Sequence, residues 1–183
     1  RGGQMSPMRR ALPLSILLVM TAGGVAVAQS QGPVSALKGH NSNAPIDVTA
    51  DRIEVQDRAD RAIFAGSVRV KQDALTLETA RLTIAYTNAD GVEIDRLDAA
   101  GGVVVRSPSE TARGQFGIYD LDRKLITLTG NVQLERGGSR IGGQRLVIDL
   151  NSGRAVIDGG PAGVGQSGGR VTGHFVVPQR RGS

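Results

Sequence analysis

The sequence has no cysteine and no tryptophan, and its 183 residues include only three Phe, two Tyr and two His. Without cysteine there is no disulfide framework, no thiolate metal site and no cysteine nucleophile. With His40 and His174 as the whole histidine complement, most imidazole-based catalysis and metal binding is excluded too. Aromatic residues make up 3% of a chain that is 39% hydrophobic. A core without large rings has to be filled, or left open, by Val, Leu and Ile. Glycine is abundant instead, at 26 residues. The length suits one domain with a sizeable core, and the composition is too hydrophobic and too mixed in charge for a disordered chain.

The formal charge of +5 is misleading. Residues 8–28 read MRRALPLSILLVMTAGGVAVA: Arg9 and Arg10, an apolar run from Ala11 to Met20, then Ala26-Val27-Ala28. That order is the n-region, h-region and A-x-A site of a secretory signal peptide, and the run is short for a membrane span. Cleavage between Ala28 and Gln29 would remove three arginines and no acid, which lowers the charge from +5 to +2. Residues 46–159 hold all 17 acids against 15 basic residues, so no basic stripe remains for nucleic acid. The expected organisation is upstream residues and signal peptide at 1–28, a flexible polar lead at 29–44 and the main domain at 45–160. A Gly-rich linker and basic tail follow at 161–183.

The main domain is dense in period-two alternation. Val68-Arg69-Val70, Leu75-Thr76-Leu77, Leu82-Thr83-Ile84, Phe116-Gly117-Ile118 and Val132-Gln133-Leu134 are examples. Apolar residues two apart describe strands with one buried face, and no window outside the leader carries a helical period. The class is all-β. A unit of about 30 residues recurs: FAGSVRV at 64–70 returns as AAGGVVV at 99–105 and LTGNVQL at 128–134. A second string interleaves with it, starting at Ala50, Ala80, Ala112 and Gln144. Glycine inside a strand marks a bulge or a sharp bend. Gly66, Gly101 and Gly130 recur at matching points, so they are expected to bend every unit at one level and fold the sheet over on itself.

The available chemistry is sparse. The carboxylate pairs Asp57/Asp60, Glu93/Asp95 and Asp120/Asp122 lie in or beside polar turns, where Asp bonds its own backbone. His40 falls in the lead and His174 in the tail, so neither is expected on a rigid scaffold. Asp149–Gly153 lacks the spacing of a calcium loop. No catalytic residue, metal site or cofactor is expected, and the chain reads as a non-enzyme. Rows of Val, Leu and Ile suit flexible acyl chains, which need concave aliphatic surface and few directional groups. The same rows would equally fill the core of a sandwich.

PIDVTADRIEV, AIFAGSVRVKQ, ALTLETARLTIAY and LTGNVQLERGG, behind a signal peptide, resemble the LptA/OstA-like proteins of lipopolysaccharide transport over residues 44–160. The resemblance implies a twisted, V-shaped β jelly roll whose interior takes the acyl chains of lipopolysaccharide in the periplasm. It also implies a bridge from an LptC-like inner-membrane protein to an LptD-like outer-membrane protein through edge-strand pairing, with possible head-to-tail copies of the chain itself. Ile46–Val55 would lie at one edge and Leu146–Ile157 near the other. The implied lipid lining is Ile53, Val55, Phe64, Val68, Val70, Leu75, Leu77, Leu82, Ile84, Val103, Val105, Phe116, Ile118, Leu128, Val132, Leu134 and Ile148. Two alternatives stand beside it: an LptC-like relative that keeps Ala11–Met20 as an anchor, and a parallel β-helix acting on polysaccharide. Sequencing the N-terminus of the exported protein is expected to begin at Gln29; an intact leader would select the anchored form.

Overall fold

The computed structural model describes Leu37 and residues 40–88, 91–160 and 169–177. The expected signal peptide, most of the lead, the linker at 161–168 and the basic end at 178–183 lie outside the described residues. The strands are β1 (Asp47–Thr49), β2 (Arg52–Gln56), β3 (Arg61–Gln72), β4 (Leu75–Thr87), β5 (Glu93–Arg106), β6 (Glu110–Asp120), β7 (Leu125–Arg136), β8 (Ser139–Asp149), β9 (Arg154–Asp158) and β10 (Thr172–His174). A short 3-10 turn at Asp57–Ala59 joins β2 to β3. No helix among the described residues is long and apolar enough to cross a membrane.

All ten strands form one antiparallel sheet in the order β1-β3-β4-β5-β6-β7-β8-β10, with β2 also on β3 and β9 also on β8. Consecutive long strands are neighbours throughout, which removes the parallel β-helix: its rungs need parallel crossovers, not hairpins. β1 and β2 lie end to end along β3, and β10 and β9 end to end along β8. Each rim of the sheet is thus a broken strand. The residues around His174, expected in a tail beyond the domain, return to the sheet as β10.

The expected corner is present. Gly66, Gly101 and Gly130 interrupt β3, β5 and β7 at φ of +81°, +89° and +81°, and the pairing shifts register at each. A Cβ on Gly101 would meet Ala80 Cβ at 2.9 Å, and one on Gly130 would meet Gln115 Cβ at 2.9 Å. Left-handed backbone and close approach together demand glycine. Gly160, at φ +73° against Gln144, is a fourth member that the strand strings alone do not reveal. Across this level the sheet divides into two layers. The first holds residues 68–79, 103–113 and 132–143, the second residues 81–88, 91–100, 116–129 and 145–158, and one apolar core cluster draws on both.

The corner also resets which residues face inward. On β3, β5 and β7 the inserted pair keeps the parity, so Leu97, Ala99, Val103 and Val105 are all buried. On β4, β6 and β8 it switches: Leu75, Leu77 and Thr79 face inward before the corner, Leu82 and Ile84 after it. β6 does the same, burying Ala112 and then Gly117 and Tyr119. Phe116 and Ile118, expected inside, therefore point outward, 54% and 42% exposed. The physical reason is the slip between Arg113 and Phe116, where β6 advances three residues against four on β7, since an odd step moves the rest of a strand to its other face. Gly117 takes the inner position because a Cβ there would meet Leu128 Cδ2 at 3.0 Å and Val103 Cγ1 at 3.1 Å. Gly117→Leu is accordingly expected to cost about 1–3 kcal/mol through overpacking, and Phe116→Ser within about 0.5 kcal/mol of zero. Urea midpoints check both; the reverse order would place Phe116 inside.

Candidate functional site

Pairing carries the inner apolar face from rim to rim. In the second layer one row runs Ile53, Phe64, Leu82, Ala99, Gly117, Leu128, Leu146, Ile157. Beside it runs Val55, Ala62, Ile84, Leu97, Tyr119, Ile126, Ile148, Ala155. In the first layer the matching row is Val48, Val70, Leu77, Val105, Ala112, Leu134, Ile141, Gly173. Sealing is complete at the centre and fails at the rim. Leu82, Leu128, Leu146 and Ile148 are fully buried, whereas Ile53 and Val55 are 57% and 56% exposed although they stand on the inner face.

Of the expected lining, Val68, Val70, Leu75, Leu77, Leu82, Ile84, Val103, Val105, Leu128, Val132, Leu134 and Ile148 are buried in the shared core. Phe64 packs half-buried against it, and Ile53 and Val55 form its open end. Phe116 and Ile118 alone of that set lie on the other face. Leu97, Tyr119, Ile126 and Leu146 belong to the rows without having been expected there. Ile126 and Leu146 sit two residues from Leu128 and Ile148, so strict alternation identifies them. Leu97 and Tyr119 need the pairing register.

One buried polar knot ties the two layers together near the turns. Gln72, 1% exposed at the end of β3, accepts from Tyr119 Oη at 2.9 Å and from His40 Nε2 at 3.0 Å. Its amide nitrogen donates to the carbonyls of Ser42 and Ala44 at 2.9 and 3.0 Å. Both donors and both acceptor sites of the amide are used, which is what lets a glutamine stay buried. Burial pushes the Tyr119 hydroxyl above the usual phenol range, partly offset by a hydrogen bond with Ser42. His40 is thus corrected: its side chain is 2% exposed and held by β3, not free in a lead. Of the acidic pairs, Asp120 bonds backbone as expected, accepting from the Arg123 amide at 2.8 Å, whereas Asp60 and Asp95 accept from the side chains of Asn88 and Thr87. Asp149 accepts from the amides of Asn151 and Ser152. Those bonds, with the Ser152 hydroxyl first, hold the Asp149 carboxyl below its ordinary range.

Residues 47–154 match the family model described as LptA/(LptD N-terminal domain) LPS transport protein. The chain belongs to this family. It is 30% identical over 140 residues to an uncharacterized protein of Rhizobium meliloti (strain 1021), a match covering 72% of this chain and 75% of that protein. Among solved structures it is similar to LptH of Pseudomonas aeruginosa, described as the LptA-homologous periplasmic component of a lipopolysaccharide transport device. That likeness has a TM-score of 0.64 at 17% identity and covers 75% of this chain and 99% of the other. The sheet folded at its glycine level is therefore the LptA-like jelly roll, and the family is one of transport proteins.

On this jelly roll the outer face of the first layer is stapled by two carboxylates of similar geometry. Glu78 on β4 pairs with Arg69 on β3 at 2.9 Å and with Arg106 on β5. Glu135 on β7 pairs with Arg113 on β6 at 2.9 Å and Arg140 on β8 at 2.7 Å. Hydrogen bonds from Arg106 and Arg113, respectively, are the leading causes that hold the two carboxyls below the usual glutamate range. A lowered folded-state value stabilises at pH above the unfolded value and is lost as pH falls through the folded one. Stability is therefore expected to stay level down to the ordinary carboxylate range and to fall below it, and Glu78→Gln with Glu135→Gln to flatten that fall. Urea midpoints against pH check it; an unchanged slope in the double variant would deny these pairs a role.

Proposed function

We propose that the chain is a periplasmic lipopolysaccharide carrier that shelters acyl chains between its two layers, after cleavage near Ala28-Gln29. The observation that carries this reading is the exposure of Ile53 and Val55 on the inner face, where apolar rows reach the rim of the sheet. Flexible chains need aliphatic surface of that kind, and burial is worth about 25 cal/mol per Å². The family, and the periplasmic lipopolysaccharide-transport role of LptH, support the same cargo and compartment.

In this reading the rims are also docking edges, from an LptC-like inner-membrane protein to an LptD-like outer-membrane protein, with head-to-tail copies of the chain between. β1 with β2, and β10, each present an unpaired side to a further strand, an arrangement that soluble proteins normally protect. Beside β10, Val171, Phe175, Val176 and Val177 are exposed apolar residues, as a partner-facing rim requires. The carrier domain extends over 45–160, with the segment around β10 as part of the second docking edge.

A photo-crosslinker at Ile53 or Val55 is expected to capture lipopolysaccharide during export, and one at Phe116 or Ile118 to capture several-fold less. Equal capture on both faces, or none at Ile53 and Val55 in a folded protein, would overturn the carrier reading.

A further inference from the structure

We propose that residues 40–46 are a strap that closes a side portal into the apolar interior, with Gln72 as its latch, and that an acyl chain enters and leaves there. This inference rests on the carrier reading. The strap crosses a cavity of about 530 Å³ whose wall includes Ala44, Pro45 and Ile46 on one side and Ile94 and Leu121 on the other. Ile46, Ile94 and Leu121 also pack against the central core, so the apolar part of this wall adjoins the apolar rows. Ser42, Asn43, Glu93, Asp122 and Lys124 line the same opening. A mouth of mixed lining set against an apolar core suits an amphiphile whose tail goes in and whose head stays in water.

The strap is attached so as to open as a unit. Its backbone bonds are local: His40 N to Leu37 O, Ser42 N to His40 O, and Ala44 N to Asn41 O. Sheet pairing begins only at Asp47. Among the described residues, its polar ties to the sheet run to Gln72, to Tyr119 through Ser42, and to Asp73, which accepts from the Asn41 amide at 3.5 Å and stands 4.0 Å from His40 Nδ1. Three of those ties end on the single side chain of Gln72. Losing that side chain breaks all three of those ties at once.

The test uses the full chain, whose lack of cysteine makes two introduced thiols unique. Asn43→Cys with Asp122→Cys, both on the wall of the cavity, joined by a short bismaleimide, locks the strap shut. Uptake of a fluorescent fatty acid is followed by stopped flow, and the amount bound by equilibrium titration. The locked protein is expected to take up the probe at least about tenfold more slowly. Gln72→Ala is expected to take it up faster by a similar factor and to speed hydrogen exchange at the Asn41 amide, whose partner Asp73 lies on the sheet side of the opening, since each lost hydrogen bond shifts an opening equilibrium several-fold. Wild-type uptake rate and capacity in the locked protein would overturn the strap and leave the carrier standing. An unchanged rate in a folded Gln72→Ala protein would overturn the latch in the same way. Failure of every form to bind the fatty acid would overturn both readings.

Discussion

A period-two strand keeps its apolar residues on one face only while nothing is inserted into it. Eight-residue pairing rows such as Ile53 to Ile157 therefore keep to one face only because each of the long strands β3 to β8 crosses the corner with a matched irregularity. β3, β5 and β7 accommodate a left-handed pair led by glycine (Gly66-Ser67, Gly101-Gly102 and Gly130-Asn131) and hold their parity, while β4, β6 and β8 slip by one and exchange faces. A corner placed one residue away on a single strand would turn that strand's second half inside out. The close approaches of Gly101 to Ala80 and Gly130 to Gln115 pin the level, because a side chain at either glycine would force neighbouring strands apart. The two layers, the shared core and the open rim all follow from that one registration.

This also explains which parts of the molecule were legible from the sequence. Alternation identified the strands, and the recurrence of Gly66, Gly101 and Gly130 identified the level of the fold, because both are local signals. Parity beyond the corner is not local. Phe116-Gly117-Ile118 looks like an inward Phe and Ile around a neutral glycine, and only the pairing of Gly117 with Ala99 and Leu128 shows that the glycine is inside. The knot at Gln72 was illegible for another reason: glutamine in a strand ordinarily faces water, and its partners His40, Ser42 and Tyr119 are 30 to 47 residues away in the chain. A buried polar cluster assembled from separate segments leaves no periodic trace. The first rim of the sheet was legible from chain order. The second was legible only in part, since β10 returns from beyond the segment that closes the repeat.

The aliphatic character of the interior has a consequence for how such a protein holds cargo. Contacts among Val, Leu and Ile are non-directional, so replacing a layer-to-layer contact by a layer-to-methylene contact changes little energy per unit area. Stacked aromatic rings would lose their preferred geometry on the same replacement, at about 0.5–1.5 kcal/mol per pair. Large rings are accordingly rare on the inner face: Phe64 sits toward the rim, Phe116 outside, and Tyr119 is engaged by its hydroxyl. A core of this kind is stable when closed and tolerant when parted.

A parted core still needs a place where parting starts. Fully buried Leu82, Leu128 and Leu146 hold the row nearer the corner, where the layers are tied by continuous backbone and cannot separate first. Separation must begin at the turns, and there the layers are joined by a directional link, Tyr119 to Gln72. Hydrogen bonds differ from aliphatic contacts in that they break over a short displacement, with a cost set by whether water can replace the lost partner. At the mouth of the fold, next to a solvent-facing cavity, water can. In the proposed carrier, a polar link at the mouth and a non-directional core behind it would therefore give an opening that is all-or-none at its entrance and gradual beyond it. The same link placed at the centre would leave buried groups unpaired whenever a chain passed, at about 1–3 kcal/mol for each.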